Sequence, residues 1–292
     1  MRIAITGAEG IVGGVLRSGL SSCYEIRPLV RTAQAFESVS TDVADLRSVV
    51  SGFTGCDAVV HLAAAAGLEA GWSEILESNI VGTRNVYEAA RMTGVKAVVF
   101  ASSGHVIGVA EERAGPELYS IGDRRVFDEQ TPAEPDSLYA VSKLYGETMG
   151  RYYSESFGLR VICLRLGTVL PDDDLSSANV GRGRSAHMNI SERYPRLRAK
   201  WLSHRDCCQL FTRCIEAVSV RYAVVFGTSN NPRQIWSLQN ARTLLGFEPT
   251  DSAPGELEFG RGLPRQTADS TTSADTWNMG QPRVPASAAS RP

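Results

Sequence analysis

An apolar strand, Met1-Arg-Ile-Ala-Ile-Thr6, runs directly into Gly7-Ala-Glu-Gly10-Ile-Val-Gly13, and an apolar helix follows at once. A strand that ends in Gly-x-x-Gly-x-x-Gly and turns into a helix aims backbone N–H groups and the positive end of the helix dipole at one point, where a pyrophosphate can sit. Glycine lets the backbone approach that anion closely. Glycine-rich turns also serve plain packing, so the pattern gains its meaning from its context. Here Ile3–Ile5 form the strand, and Ile11, Val15, Leu16 and Leu20 recur at helical spacing through Leu20.

The rest of the chain alternates in the same way. Short apolar runs at Ile3–Ile5, Glu25–Val30, Ala58–His61, Ala97–Phe100, Val161–Leu164 and Ala223–Phe226 read as buried strands, with amphipathic helical segments between them. Such alternation predicts right-handed crossovers and a doubly wound, Rossmann-like parallel sheet of the α/β class, covered on both faces. Ligands gather above the carboxyl ends of strands in such a sheet. We expect a dinucleotide-binding core over residues 1–165, a small C-terminal substrate-binding portion over 166–260, and a flexible tail over 261–292, where Ser, Thr, Ala, Pro and Gly replace apolar anchors. From Leu170 to Leu197 the pattern breaks into Pro171-Asp-Asp-Asp174 and Gly181-Arg-Gly-Arg184, which predicts a long functional loop before order returns at Trp201 to Ala217.

Composition narrows the partners. A formal net charge of −2 gives no global basic field, which argues against nucleic acid. No apolar run reaches the roughly 18 residues of a membrane span, and the N-terminal strand and glycine turn stand where a secretory signal would need a basic start. We therefore expect a cytoplasmic protein without a membrane partner. Cys23, Cys56, Cys163, Cys207, Cys208 and Cys214 lack Cys-x-x-Cys spacing and read as reduced core residues. His61, His105, His187 and His204 are widely separated, so no metal site is expected.

A chemical constellation sits near the middle of the chain. In Leu138-Tyr139-Ala-Val-Ser-Lys143 the phenol and the ammonium are one helical turn apart and share a face. A phenol titrates near 10, so lowering it toward about 7 takes some 4 kcal/mol of preferential phenolate stabilisation, and a neighbouring cation has the right sign. Read alone, the pair is an ordinary helix surface contact. Upstream, Val98-Val-Phe-Ala-Ser102-Ser103 is a strand that ends in two hydroxyls, where the carboxyl end of the sheet faces a cofactor. Ser103 could hydrogen-bond a reacting oxygen, although serine also caps strand ends and turns.

Taken together, Thr6-Gly-x-x-Gly-x-x-Gly13, His61-Leu-Ala-Ala64, Asn79-x-x-Gly82-Thr83, Ser102-Ser103 and Tyr139-x-x-x-Lys143 resemble the extended short-chain dehydrogenase/reductase superfamily, in its epimerase/dehydratase-like branch. Within it the chain is most similar to bacterial uronate dehydrogenases, through Phe100-Ala-Ser-Ser-Gly-His-Val-Ile-Gly108, Asp136 to Glu147, Trp201-Leu-Ser-His-Arg-Asp206, Val224 to Ser229 and Leu245 to Pro249. The resemblance implies Tyr139 as general acid/base, Ser103 as the group that polarises the substrate oxygen, and Lys143 as the residue that holds the nicotinamide ribose and depresses the phenol's pKa. It places Gly7, Gly10, Ile11, Val12, Gly13, Arg31, Asp42, Val43, Leu62, Ala63, Ala64, Asn79 and Lys143 at the cofactor, with Asp42 at the adenine edge and Asn79 supporting the site from its helix. Ser103, Gly104, His105, Tyr139, Thr168 and Arg196 would meet the sugar. Gly104 stands where that family has an asparagine, Thr168 where it has a serine, and Ala66 where a substrate-binding serine would be.

Arg196 falls where the family's carboxylate-binding arginine lies, and a guanidinium offers a planar fork for a uronate. Arg182, Arg184, Arg193 and Arg198 in the same stretch read as solvated charges. At the end of the second strand Arg31 occupies the place of the acidic residue that binds the ribose of NAD. A cation there suits the 2′-phosphate of NADP, whereas the family resemblance implies NAD. The expected activity is NAD(P)-dependent oxidation of a sugar hydroxyl, for a uronate at C1 with a lactone as product. A nucleotide-sugar epimerase or reductase is the alternative within the superfamily, and a non-catalytic NAD(P)-binding sensor the alternative outside it. By analogy the chain is expected to form a homo-oligomer.

Overall fold

The computed structural model describes residues 1–66, 70–175 and 190–254. The expected tail at 261–292 lies outside those residues, as do Arg182, Arg184 and His187. Strands β1 (Arg2–Thr6), β2 (Glu25–Val30), β3 (Val39–Ser40), β4 (Ala58–His61), β5 (Ala97–Ser103), β6 (Arg160–Leu166) and β7 (Tyr222–Gly227) form one seven-stranded sheet in the order β3-β2-β1-β4-β5-β6-β7. Every pairing is parallel. The fold is therefore the doubly wound α/β class that the alternation predicts, and the order reverses between β1 and β4. At that switch point the two halves open a crevice beyond the strand ends.

The helices are α1 (Ile11–Leu20), α2 (Leu46–Phe53), α3 (Trp72–Glu74), α4 (Gly82–Thr93), α5 (Gly108–Ala114), α6 (Leu138–Phe157), α7 (Ile190–Lys200), α8 (His204–Glu216) and α9 (Gln239–Leu245). A π-helical stretch, Ile75–Val81, joins α3 to α4, and 3-10 turns occupy Gly104–Ile107 and Pro116–Tyr119. The broken pattern after Leu170 predicts a loop through Leu197, and here the structure differs: α7 begins at Ile190. Its sequence, Ile-Ser-Glu-Arg-Tyr-Pro-Arg-Leu-Arg-Ala-Lys, is charged and carries Pro195, so its apolar spacing is faint.

Alternation along each strand divides the core between the two faces of the sheet. Ile3, Ile5, Val60, Val99, Ile162 and Leu164 face the layer of α1 and α8, where Leu16, Leu210 and Phe211 meet them. Ala4, Val59, Val98, Phe100, Val161 and Cys163 face the layer of α2, α4 and α6. A side chain of this size contributes roughly 1.5–3 kcal/mol when fully buried, which explains why the strands read as continuous apolar runs. All six cysteines are free thiols; Cys56, Cys163, Cys207 and Cys214 are buried, while Cys208 is half-buried and Cys23 is exposed at a turn.

Two details place α6 where its polar residues can act. The Ser137 hydroxyl caps its N-terminus by accepting the Ala140 N–H at 3.1 Å, worth about 1 kcal/mol. At Gly146 a Cβ would come within 2.2 Å of the Phe100 ring, so only glycine lets the helix lie this close to β5. Among the described residues, no helix is long and apolar enough to cross a membrane.

Candidate active site

The glycine turn opens one end of a cavity of about 770 Å3 that runs along the carboxyl ends of the strands, within the range of small-molecule sites. Gly7 adopts φ +66°, and a Cβ there would lie 2.7 Å from the Ala63 nitrogen. Gly13 is as tight, with the Gly7 carbonyl 2.6 Å from a Cβ. Gly10 differs, since a Cβ on it would meet only the Gly7 carbonyl, at 3.4 Å, and would otherwise stand in the cavity. As N-cap of α1, Gly10 offers no side chain to the first-turn N–H groups of Ile11, Val12 and Gly13, all of which line the cavity. A bare helix N-terminus with room for an anion fits a pyrophosphate.

Along the walls lie Arg31, just past β2, and Asp42 and Val43, just past β3; Leu62, Ala63 and Ala64 follow β4 on the opposite side. The Thr6 hydroxyl accepts the N–H groups of Leu62 and Ala63, both at 3.2 Å, and pairs with His61 Nδ1 at 2.8 Å. His61 Nε2 meets Thr83 at 3.2 Å, and burial, with the nearby Lys143 charge, pulls the imidazole down to about 3. His61 is therefore a neutral strut under the wall.

Asn79 stands behind the cavity rather than in its lining. Its Oδ1 accepts the Ala65 N–H at 2.8 Å, and its Nδ2 donates to the Ala65 carbonyl at 3.2 Å and to Ser142 Oγ at 2.9 Å. The π-helical stretch carrying it thus ties the loop after β4 to the helix bearing Tyr139 and Lys143. Asn79 thus braces the cofactor wall from behind, the supporting place that the resemblance implies for it, with its side-chain amide bonded to protein.

The cavity's other end brings Ser103, Tyr139 and Lys143 together. Ser103 lies close enough to the Tyr139 phenol to favour its ionised form, and the Lys143 ammonium lies 5.5 Å from the centre of the phenol ring. Neighbouring Ser102 donates to Glu147 Oε1 at 2.5 Å, and Glu147 takes both arms of the Arg165 guanidinium at 2.9 Å. This buried fork, which the sequence reading gave no role, anchors the end of β5 to α6 and β6.

Electrostatics depart from expectation at the phenol. Burial pushes Tyr139 up to about 12, with the Ser103 hydroxyl acting against it, and pulls Lys143 down to about 8. The expected depression of the phenol by Lys143 is thus not a property of these protein groups alone. Burial drives the amine toward its neutral form, and only the charged form can favour a phenolate.

The residues expected at the sugar are more dispersed. His105 Nδ1 pairs with Asp136 at 2.6 Å, and Gly104 lies under the Trp236 ring. Thr168 is held through its backbone by Lys200 and Leu202, at 2.7 and 3.0 Å. Arg196, on α7, reaches the Tyr119 hydroxyl. None of the four lines the dinucleotide cavity, whose end is walled instead by Leu166, Gly167 and Val169. Ala66, expected at the place of a substrate-binding serine, lines it; Ala65, Glu74, Glu77 and Ser78 also line it and were missed, and continuation of the alanine run from Ala63 is the one sequence signal that could have found any of these. Arg198, read as solvated, is buried with its guanidinium over the Tyr194 ring at 5.6 Å. Among the described residues, no group of three or more His, Cys, Asp or Glu could hold a metal ion.

Comparison with known proteins follows the same lines. The model of the "NAD dependent epimerase/dehydratase family" matches residues 3–187. An NAD-dependent glucose-6-phosphate dehydrogenase of Haloferax volcanii is 34% identical over 86% of this chain and 94% of its own. An L-arabinose 1-dehydrogenase (NAD(P)(+)) of the same organism is 36% identical over 88% of this chain and 99% of its own. The crystal structure of uronate dehydrogenase from Agrobacterium tumefaciens superposes with a TM-score of 0.72 at 29% identity, covering 92% of this chain and 91% of that one.

Proposed function

The chain belongs to the NAD dependent epimerase/dehydratase family, and on that premise we propose that it is an NAD(P)-dependent dehydrogenase that oxidises the C1 hydroxyl of a sugar acid to a lactone. One observation carries this reading: Ser103, Tyr139 and Lys143 converge at one end of a cavity whose other end is the bare glycine turn. Similarity to sugar dehydrogenases over most of the chain supports the substrate class.

In this mechanism the substrate hydroxyl sits between Ser103 and Tyr139. Tyr139 takes the hydroxyl proton, and Ser103 donates a hydrogen bond to the oxygen as it gains carbonyl character. The oxidised nicotinamide, when bound, would supply the hydride acceptor. Lys143 holds the ribose and orients that end of the cofactor, while the N–H groups of Ile11 to Gly13 bind the pyrophosphate. Arg196 forks the substrate carboxylate. Arg31 extends the binding of the adenine ribose to a 2′-phosphate, so that NADP+ is accepted alongside NAD+.

A panel of uronates, aldoses, sugar phosphates and nucleotide sugars, each with NAD+ and with NADP+, tests the reading through the absorbance of reduced nicotinamide. Net reduction with a uronate, and a lactone as product, is the expected outcome. Conversion of a nucleotide sugar without net reduction would instead mark an epimerase. Tight cofactor binding with no turnover on any sugar would mark a sensor.

A further inference from the structure

The turn after Ser103 leaves no space for a side chain. An ideal Cβ on Gly104 would lie 2.1 Å from Cζ2 and 2.2 Å from Cη2 of Trp236. That indole cannot easily yield. It is 2% exposed, stacks on Phe226 with centroids 5.0 Å apart, and donates its Nε1–H to Glu111 Oε1 at 2.8 Å. Glu111 is as deeply buried; its other oxygen accepts from the Lys200 ammonium and, at 3.3 Å, from the Tyr119 hydroxyl.

Lys200 closes the circuit on the opposite side. Its backbone carbonyl accepts the Thr168 N–H at 2.7 Å and would lie 2.2 Å from a Cβ on Gly167, a residue of the cavity wall. A continuous buried path therefore runs from the end of β6, through Lys200, Glu111 and Trp236, to Gly104. On its far side Ser103 adjoins Ser102, which Glu147 holds. The hydroxyl of Ser103 is thus fixed from both neighbours along the chain, and its Oγ also accepts the His105 N–H of the same turn at 3.2 Å.

We propose that the Lys200–Glu111–Trp236 triad clamps Gly104 and thereby positions Ser103 against Tyr139, which makes Trp236 and Glu111 positioning residues for the oxidation. The proposal rests on the reading of Ser103 and Tyr139 as the catalytic pair. An apolar trio of similar volume could fill this space as well as a buried ion pair does, often with equal stability. What the carboxylate adds is direction, since a hydrogen bond to the indole N–H fixes the plane of the ring that presses on Gly104. A displacement of about 1 Å at a reacting group can cost on the order of a hundredfold in rate, so a clamp of this kind has a large effect to exert.

The test compares wild type, Gly104→Ala, Trp236→Phe and the double variant, each as the full chain with cofactor and the best sugar acid. Phenylalanine keeps an aromatic ring but removes the carbons that crowd residue 104 and the N–H that Glu111 holds. Gly104→Ala is expected to lower kcat by about thirtyfold or more while the cofactor Kd stays within about twofold. The acid limb of its pH profile should move up, because Ser103 no longer favours the phenolate; Lys143, the charged group facing Tyr139, is unchanged. Adding Trp236→Phe should recover about tenfold of the lost kcat and return the limb.

Wild-type kcat in Gly104→Ala, or a double variant no faster than Gly104→Ala, overturns the clamp even if melting temperatures shift. If Gly104→Ala does not fold, Trp236→Phe carries the test, with an expected loss of about fivefold to tenfold in kcat at unchanged cofactor affinity; an unchanged kcat overturns the proposal. A wild-type chain that oxidises no sugar sinks the functional reading together with the clamp, whereas turnover in wild type with insensitive variants sinks the clamp alone.

Discussion

The Lys143 ammonium stands 5.5 Å from the centre of the Tyr139 ring and 5.0 Å from that of Phe100, one helical turn beyond the phenol. Burial moves the two groups in opposite directions, the phenol up to about 12 and the amine down to about 8. Both shifts favour the neutral forms, yet at about 8 the amine is still mostly an ammonium at neutral pH, and its charge favours the phenolate. Removing the amine should therefore make the phenol harder to ionise. Lys143→Met is expected to lower kcat at neutral pH at least about tenfold and to move the acid limb of kcat/KM up by about one pH unit. The pH–rate profile of the variant checks this.

Arg31 lies on the cavity wall just past β2, where an acidic residue would bind a ribose 2′-hydroxyl. In Arg31→Asp the 2′-phosphate meets a carboxylate instead of a guanidinium. The ratio of kcat/KM for NADP+ over NAD+ should fall by about a hundredfold or more, two lost charge-assisted bonds at ~1.5 kcal/mol each. Steady-state kinetics with both cofactors decide it; an unchanged ratio means that Arg31 does not read the phosphate.

Gly10 and Gly13 separate cradle from packing. Gly13→Ala forces a Cβ to within 2.6 Å of the Gly7 carbonyl, and should destabilise the chain by several kcal/mol. Gly10→Ala meets only that carbonyl, at 3.4 Å, and directs its methyl into the cavity. It should leave the melting temperature near wild type and weaken dinucleotide binding by about tenfold or more. Calorimetric melting and cofactor titration distinguish the two.

His61 predicts an acid-sensitive fold. Its folded pKa, about 3, lies below the ordinary value of 6.5, so its contribution is fully present above pH 6.5 and is lost as pH falls toward 3. Over that window the unfolded chain binds the extra proton, and stability falls by ~1.4 kcal/mol per pH unit, or about 2 kcal/mol between pH 7 and pH 5. Urea unfolding at both values measures it. His61→Gln should be less stable at pH 7 and should lose less on acidification.

The inner strands of the sheet were legible in the sequence because β4, β5 and most of β6 are buried on both faces, whereas β3 is two exposed residues with no apolar run to read. Glu25–Val30 and Ala58–His61 occur with the bounds expected, and β5 runs past the apolar stretch Ala97–Phe100 to the two hydroxyls at which it was expected to end, with Ala101, Ser102 and Ser103 buried though two are polar. Helix α7 was not legible, since tertiary contacts, Tyr194 and Leu197 in a small apolar cluster with Trp201 and Lys200 on Glu111, hold a segment whose own pattern is charged and broken by Pro195. At the site, the turn and the Ser103, Tyr139 and Lys143 set could be read because their spacing is local. The Trp236 contact with Gly104 could not, because it joins residues far apart in the chain and carries no local pattern.

Tyr139→Phe is the most direct test of the central claim, since it deletes one hydroxyl and leaves the ring that Lys143 faces. Single-turnover formation of reduced nicotinamide, with cofactor affinity measured alongside, gives the readout. The account predicts a rate at least about a thousandfold lower with the cofactor Kd within about twofold of wild type. A variant that reduces the cofactor at close to the wild-type rate would contradict it, and the phenol would then have no part in the chemistry.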